Sequence, residues 1–127
     1  MRGDIKMAIG KKTWLIPDCE LPQPGEGVAK GHESVIIVND SDKDAEISVK
    51  LFFTDKEPYE DIKWTVKSGR VRCFRMNRIE DMCGFEVPFE TQYAMKLTSN
   101  CEIVVQYGRL DNTQANLAFY TTLGYCE

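Results

Sequence analysis

A single histidine, His32, is the only imidazole among 127 residues, and none of the five cysteines stands in C-x-x-C spacing with another. Zinc sites draw on cysteine and histidine at short repeated spacings, so no metal and no cofactor are expected. The cysteines (Cys19, Cys73, Cys83, Cys101 and Cys126) are odd in number. That argues against a disulfide framework and for reduced thiols in a cytoplasmic protein. Long apolar runs are missing too. The N-terminal apolar piece is only Met7-Ala8-Ile9, too short for a signal peptide or a membrane span. A membrane would be reached only by docking on something already there. There is no G-x-S-x-G, no H-E-x-x-H and no phosphate-binding glycine loop, so the usual signatures of nucleophilic and metal-assisted catalysis are absent. No stretch of ten residues carries a helical period.

The composition is that of a soluble globular protein, 43% hydrophobic and 28% charged. A chain of this length suits one domain that buries roughly two-thirds of its unfolded surface. The net charge is −4, which disfavours nonspecific binding to a nucleic-acid backbone. Lys63, Lys67, Arg70, Arg72, Arg75 and Arg78 make a basic middle segment, read as the solvated face of a hairpin.

The dominant period is two. Ala45, Ile47, Val49, Leu51 and Phe53 alternate with polar residues, as do Ile62, Trp64 and Val66, and Tyr93, Met95 and Leu97. Such alternation predicts half-buried strands. Ser34–Val38, Leu117–Leu123, Thr13–Ile16, Val71–Met76 and Glu102–Tyr107 complete about eight strands, a count typical of a sandwich or barrel. Asn39–Asp44 reads as a polar hairpin loop, Lys67–Arg70 as a tight turn around Gly69, and Thr98-Ser99-Asn100 as a third short connection. Asn112–Ala118 is compatible with one helical turn. Pro17–Gly31 and Asn77–Thr91 are long loops, either functional or crossovers between two sheets.

Cys101–Asp111 is the segment that bears most on function. Ile103, Val104 and Val105 suit a buried strand, and Gln106, Arg109 and Asp111 follow directly. Polar groups at the rim of a core need partners. Glu33, Arg75 and His32 are the expected ones, with Glu33 and Asp111 also the candidate carboxylates for whichever of Arg72 and Arg75 is buried. His32 beside Glu33 suggests a proton-transfer pair, although adjacent residues on a strand point to opposite faces. Asp55 and Lys56 end the longest strand, either as polar ligands or as a charged turn stopped by Pro58. Cys73 reads as a small core residue. Trp14, Trp64, Tyr59, Tyr93 and Tyr107 are aromatics of the core or of a sugar-stacking surface.

Five motifs occur in order: G-K-K-T-W (10–14), G-H-E-S-V (31–35), T-D-K-E-P (54–58), R-C-F-R-M (72–76) and E-I-V-V-Q-Y-G-R-L-D-N-T-Q (102–114). Together they resemble the sensory rhodopsin transducer family over about Gly10–Tyr125. The resemblance implies an all-β, single-domain antiparallel β-sandwich over residues 10–127, preceded by a flexible tail over residues 1–9. It also implies a homotetramer and a signalling role in which small polar ligands, sugars or related metabolites, are bound. The site residues carried over are His32, Glu33, Asp55, Lys56, Arg75, Gln106, Arg109, Asp111 and Trp14. The loop Pro17–Lys30 and the segment Ile79–Phe89 look individual to this chain.

The expected function is therefore a non-enzymatic cytoplasmic sensory domain that binds a small polar ligand. The alternatives are an adaptor for a membrane receptor or DNA, and a sugar-processing enzyme using His32 and Glu33. In a further reading, the polar set is a buried network that fixes the subunit arrangement.

Overall fold

The computed structural model describes residues 8–113 and 117–127. Most of the expected tail, and the centre of the expected helical turn at Asn112–Ala118, lie outside the described residues. Eight strands form: β1 (Lys11–Glu20), β2 (His32–Asn39), β3 (Ala45–Phe53), β4 (Tyr59–Val66), β5 (Arg70–Arg75), β6 (Gln92–Asp111), β7 (Ala118–Leu123) and β8 (Tyr125–Cys126). Every pairing between them is antiparallel. β4-β3-β6-β1-β8 make one layer, and β5, β2, β6 and β7 make the other. The expected all-β sandwich of about eight strands is what forms.

The two layers share β6, a strand of 20 residues. Thr98-Ser99-Asn100 is not a connection, and the two strands expected on either side of it are one. The inward phase never breaks: Tyr93, Met95, Leu97, Ser99, Cys101, Ile103, Val105 and Tyr107 are all buried. The polar triplet serves a bend instead. Ser99 Oγ accepts the Cys101 N–H at 3.2 Å, and Asn100 Oδ1 accepts the Glu46 N–H at 2.8 Å. There β6 changes neighbours, leaving β3 at Ser99 and taking up β2 at Val104. The β1 register jumps from Thr13↔Thr98 to Lys11↔Ile103 across the same bend. Gly10 closes against it with φ +114°, and a Cβ there would fall on the Ile103 carbonyl.

Between the layers lies a continuous apolar core. Trp64 of β4 stacks on Phe74 of β5 at 4.2 Å between centroids and 7° between planes. β7 differs: it pairs with β6, yet all six of its residues are exposed.

The connections differ from the expected hairpins because β2 and β3, and likewise β4 and β5, sit in opposite layers. Asn39–Asp44 is thus a corner between sheets, though its turn chemistry is as expected. The fully buried Asn39 amide donates to the carbonyls of Lys43 and Val66 and accepts from the Ser41 N–H and hydroxyl. Lys67–Arg70 turns at Gly69, φ +68°, as expected, but the basic segment is no hairpin. Its side chains are nonetheless exposed, apart from half-buried Arg75. β1 runs through Pro17 to Glu20, so the first loop proper is shorter than Pro17–Gly31. A register shift between Ile16 and Cys19 accommodates the proline. Both long loops carry the chain from one layer to the other.

Replacing Asn39 by Ala should cost about 3 kcal/mol, because buried partners at the corner lose their hydrogen bonds. Chemical denaturation monitored by tryptophan fluorescence measures this.

Candidate functional site

Because β6 bends back over the far end of the sandwich, its two ends meet at the near end. Tyr93, near its start, lies opposite Cys19 of β1 and Phe53 of β3. Arg109, near its finish, lies opposite Glu33 of β2 and Tyr120 of β7. Glu33 is fully buried. Its Oε1 accepts the Tyr93 hydroxyl at 2.6 Å, and its Oε2 accepts the Glu20 N–H at 2.9 Å and the Tyr107 hydroxyl. One carboxylate thus joins both arms of β6 to β1 and β2.

Burial pushes the Glu33 carboxyl above its ordinary value, and the Tyr107, Tyr93 and Glu20 donors oppose that shift. Burial, and then the neighbouring carboxylate, push both phenols up, so they stay protonated as donors. Burial likewise raises the Cys19 thiol, with Glu33 adding to the effect, so no thiolate forms beside the carboxylate.

Arg109 stands at the half-exposed edge of this cluster. It donates to the Glu20 carbonyl at 3.2 Å and to the Tyr120 hydroxyl, and its guanidinium lies 5.0 Å from the Tyr120 ring centroid. Desolvation works against its charge, but Tyr107, Tyr120 and Glu33 outweigh it and raise the pKa. Two of the five guanidinium N–H groups are accounted for by these bonds.

The other expected site residues do not converge here. His32 is half-exposed with Nδ1 2.8 Å from the Lys30 carbonyl oxygen, while Glu33 points inward. The acid–base pair is not formed, because adjacent strand residues alternate faces. Gln106 shares a register row with Ile36 and Leu123, on the outer face. Arg75 is half-buried and finds neither Glu33 nor Asp111: its Nε donates to Asn77 Oδ1 at 3.2 Å, and its N–H to Asp81 Oδ2 at 2.9 Å. Arg72, exposed, donates to the Thr65 carbonyl at 3.0 Å and lies over Phe74. Asp111 caps its own loop, accepting from the Thr113 N–H at 3.0 Å and hydroxyl at 2.7 Å. Those two bonds hold its pKa below the ordinary value.

Asp55 and Lys56 are exposed in the β3–β4 turn, with Lys56 over the Phe53 ring. Trp14 is buried at the opposite end, its indole donating to the carbonyls of Lys11 and Ile103 near the β6 bend. Cys73 is exposed rather than in the core, since it pairs with Ile36 on the outward phase of β5 while Phe74 takes the inward one. Among the described residues no three His, Cys, Asp or Glu side chains are grouped to hold a metal ion.

Tyr93, Tyr107, Tyr120 and the Glu20 backbone complete the cluster. Sequence reasoning placed the first two only as aromatics of the core or of a stacking surface. The missed signal was phase: Glu33 falls on the inward phase of β2 and both tyrosines on that of β6, and a buried phenol needs an acceptor.

The strands and this cluster define a β-sandwich domain whose layers are joined by a tyrosine-bound buried carboxylate, with an arginine at its rim. The chain belongs to the Anabaena sensory rhodopsin transducer family, whose model matches residues 9–126. It is similar to a solved Thermotoga maritima structure, "Thermotoga maritima 1070", with 27% identity and a TM-score of 0.83, over 93% of this chain and 96% of that one. It is also similar to the solved Anabaena sensory rhodopsin transducer, with 31% identity and a TM-score of 0.66, over 79% of this chain and 97% of that one. No curated protein sequence matches the chain. Among the described residues no helix is long and apolar enough to cross a membrane.

The raised Glu33 pKa sets a pH dependence. Below the ordinary glutamate value of 4.5 the group is protonated folded or unfolded. As pH rises through the window up to the folded value, the unfolded chain releases its proton first, so stability falls. Urea denaturation between about pH 4 and pH 8 should show wild type losing stability relative to Glu33→Gln as pH rises. Glu33→Ala, which strands two phenols and an N–H, should cost about 4 kcal/mol near pH 4 and progressively less as pH rises, because it removes the same titration.

Proposed function

We propose that this chain is a non-enzymatic cytoplasmic signalling domain whose ligand is a small polar molecule, a sugar or related metabolite, held at the rim around Arg109. The observation that carries the reading is the Arg109 guanidinium. It is fixed by the Glu20 carbonyl and Tyr120 hydroxyl and is only half-buried. A planar donor fork with free N–H groups beside an aromatic ring suits a polyhydroxylated or anionic compound. Glu33 takes no part in binding, because internal donors occupy both its oxygens. It holds the strands that carry Arg109. The partner, by family, is a membrane photoreceptor or another receptor that this domain reports for.

The family reading also includes assembly into a homotetramer. Supporting it is the outer face of the β5-β2-β6-β7 layer, where Val71, Ile36, Val38, Phe119 and Leu123 are all exposed. Contiguous exposed apolar surface of this kind marks an interaction site.

A thermal-shift screen of sugars and sugar acids should find ligands that raise Tm for wild type and not for Arg109→Ala. No stabilisation by any of them, with Arg109→Ala folding normally, counts against the site. Light scattering coupled to size-exclusion chromatography should give a tetramer for wild type and smaller species for Ile36→Lys combined with Leu123→Lys. A wild-type monomer would refute the assembly.

A further inference from the structure

The outer face of the other layer carries a different feature. Lys50 of β3 and Lys96 of β6 are register partners, directly opposite one another on adjacent strands. Like charges so placed repel and destabilise a sheet. Lys63 of β4 joins them from the far side of β3, where Ser48 pairs with both Lys63 and Thr98. The three lysines, the hydroxyl residues Ser48 and Thr98, and Glu60 line a cleft of about 370 Å³. Three ammonium groups therefore meet one carboxylate, in a protein whose net charge is −4.

The local contacts leave much of this charge uncompensated. Lys50 Nζ is 3.7 Å from Glu60 and lies over the Phe52 ring at 5.0 Å. Lys63 Nζ donates to Ser48 Oγ at 2.8 Å. Lys50 and Lys96 are only half-exposed, so solvent screens their repulsion less than it would on an open surface. An oxyanion seated between them turns that repulsion into attraction, and the Ser48 and Thr98 hydroxyls donate to the oxygens left over.

We propose that this cleft binds the phosphate group of a small metabolite, at a site separate from the Arg109 rim. Lysine suits phosphate as a mobile point charge where arginine would demand fixed bidentate geometry. Phe52 at the edge and Glu60 at the rim fit a ligand that carries an apolar or hydroxyl-bearing body beyond its phosphate.

The test is thermal shift and titration calorimetry on the full chain, with inorganic phosphate and glycerol phosphate as probes and sodium chloride at matched ionic strength as the control. Both probes should raise the wild-type Tm beyond the chloride control. Lys96→Gln and Lys50→Gln should each weaken binding about tenfold, while Lys67→Gln and Arg109→Ala keep it. Retention in Arg109→Ala separates this site from the rim. Because each glutamine variant removes a repulsion, it should melt no lower than wild type in phosphate-free buffer. An unchanged shift in Lys96→Gln, or a chloride control that reproduces it, overturns the proposal. So does a single-stranded oligonucleotide that binds through Lys50 and Lys96 when neither small probe does, which would make the cleft a nucleic-acid contact.

Discussion

The structure depends on one buried carboxylate. Among the described residues no cation hydrogen-bonds to Glu33. Two phenols and one backbone N–H carry the whole of its desolvation, and each comes from a different strand position: the start of β6, the late part of β6, and the end of β1. A charge buried in this way is tolerated only if both oxygens are hydrogen-bonded. The arrangement therefore admits one relative placement of these strands. Apolar packing between the layers would tolerate sliding, whereas the carboxylate does not. Its net energetic worth is modest or negative at neutral pH, and its contribution is to specificity of the arrangement.

That constraint sets the geometry of the rim. Arg109 sits on β6 two residues beyond Tyr107, and its backbone is held by β2 on one side and β7 on the other. The Glu20 residue that supplies an N–H to Glu33 supplies its carbonyl to Arg109. The guanidinium is thus positioned by the same residue that helps satisfy the carboxylate. Domains that recognise ligands without reacting with them need this kind of preorganisation. β7 adds Tyr120, while its apolar residues Phe119 and Leu123 stay exposed.

Much of this was legible in the sequence. Period-two alternation and short β-branched or apolar runs locate every strand except the two-residue β8, because β1 to β6 each put one face in the core; β7, exposed throughout, shows its pattern without that cause. Glu33 and Arg109 were recognised as polar groups needing partners, and as opposed segments. What could not be read was the partner of each. Asn100 and Ser99 have turn chemistry, and only tertiary context makes them a bend within a strand rather than a break between strands. With β6 split there, Tyr93 and Tyr107 belong to separate strands and their convergence on Glu33 is invisible. Gln106 was misplaced for a simpler reason: it is one residue out of phase with Tyr107 and so faces the other way. Arg75 was assigned a carboxylate because burial demands one, yet half-burial let an amide suffice.

The position of β6 in the chain has a kinetic consequence. It pairs with β1, β2 and β3, all made before it, and with β7, made after it. Until about three-quarters of the chain exists, β1 has no neighbour, and β2–β5 and β3–β4 are isolated pairs with bare edges. Two-stranded fragments are marginal in water. Nearly all the organising contacts are distant in sequence, which slows folding and lengthens exposure of unpaired edges. Ribosome-bound chains of this protein should therefore gain most of their stable structure late, once β6 has been made.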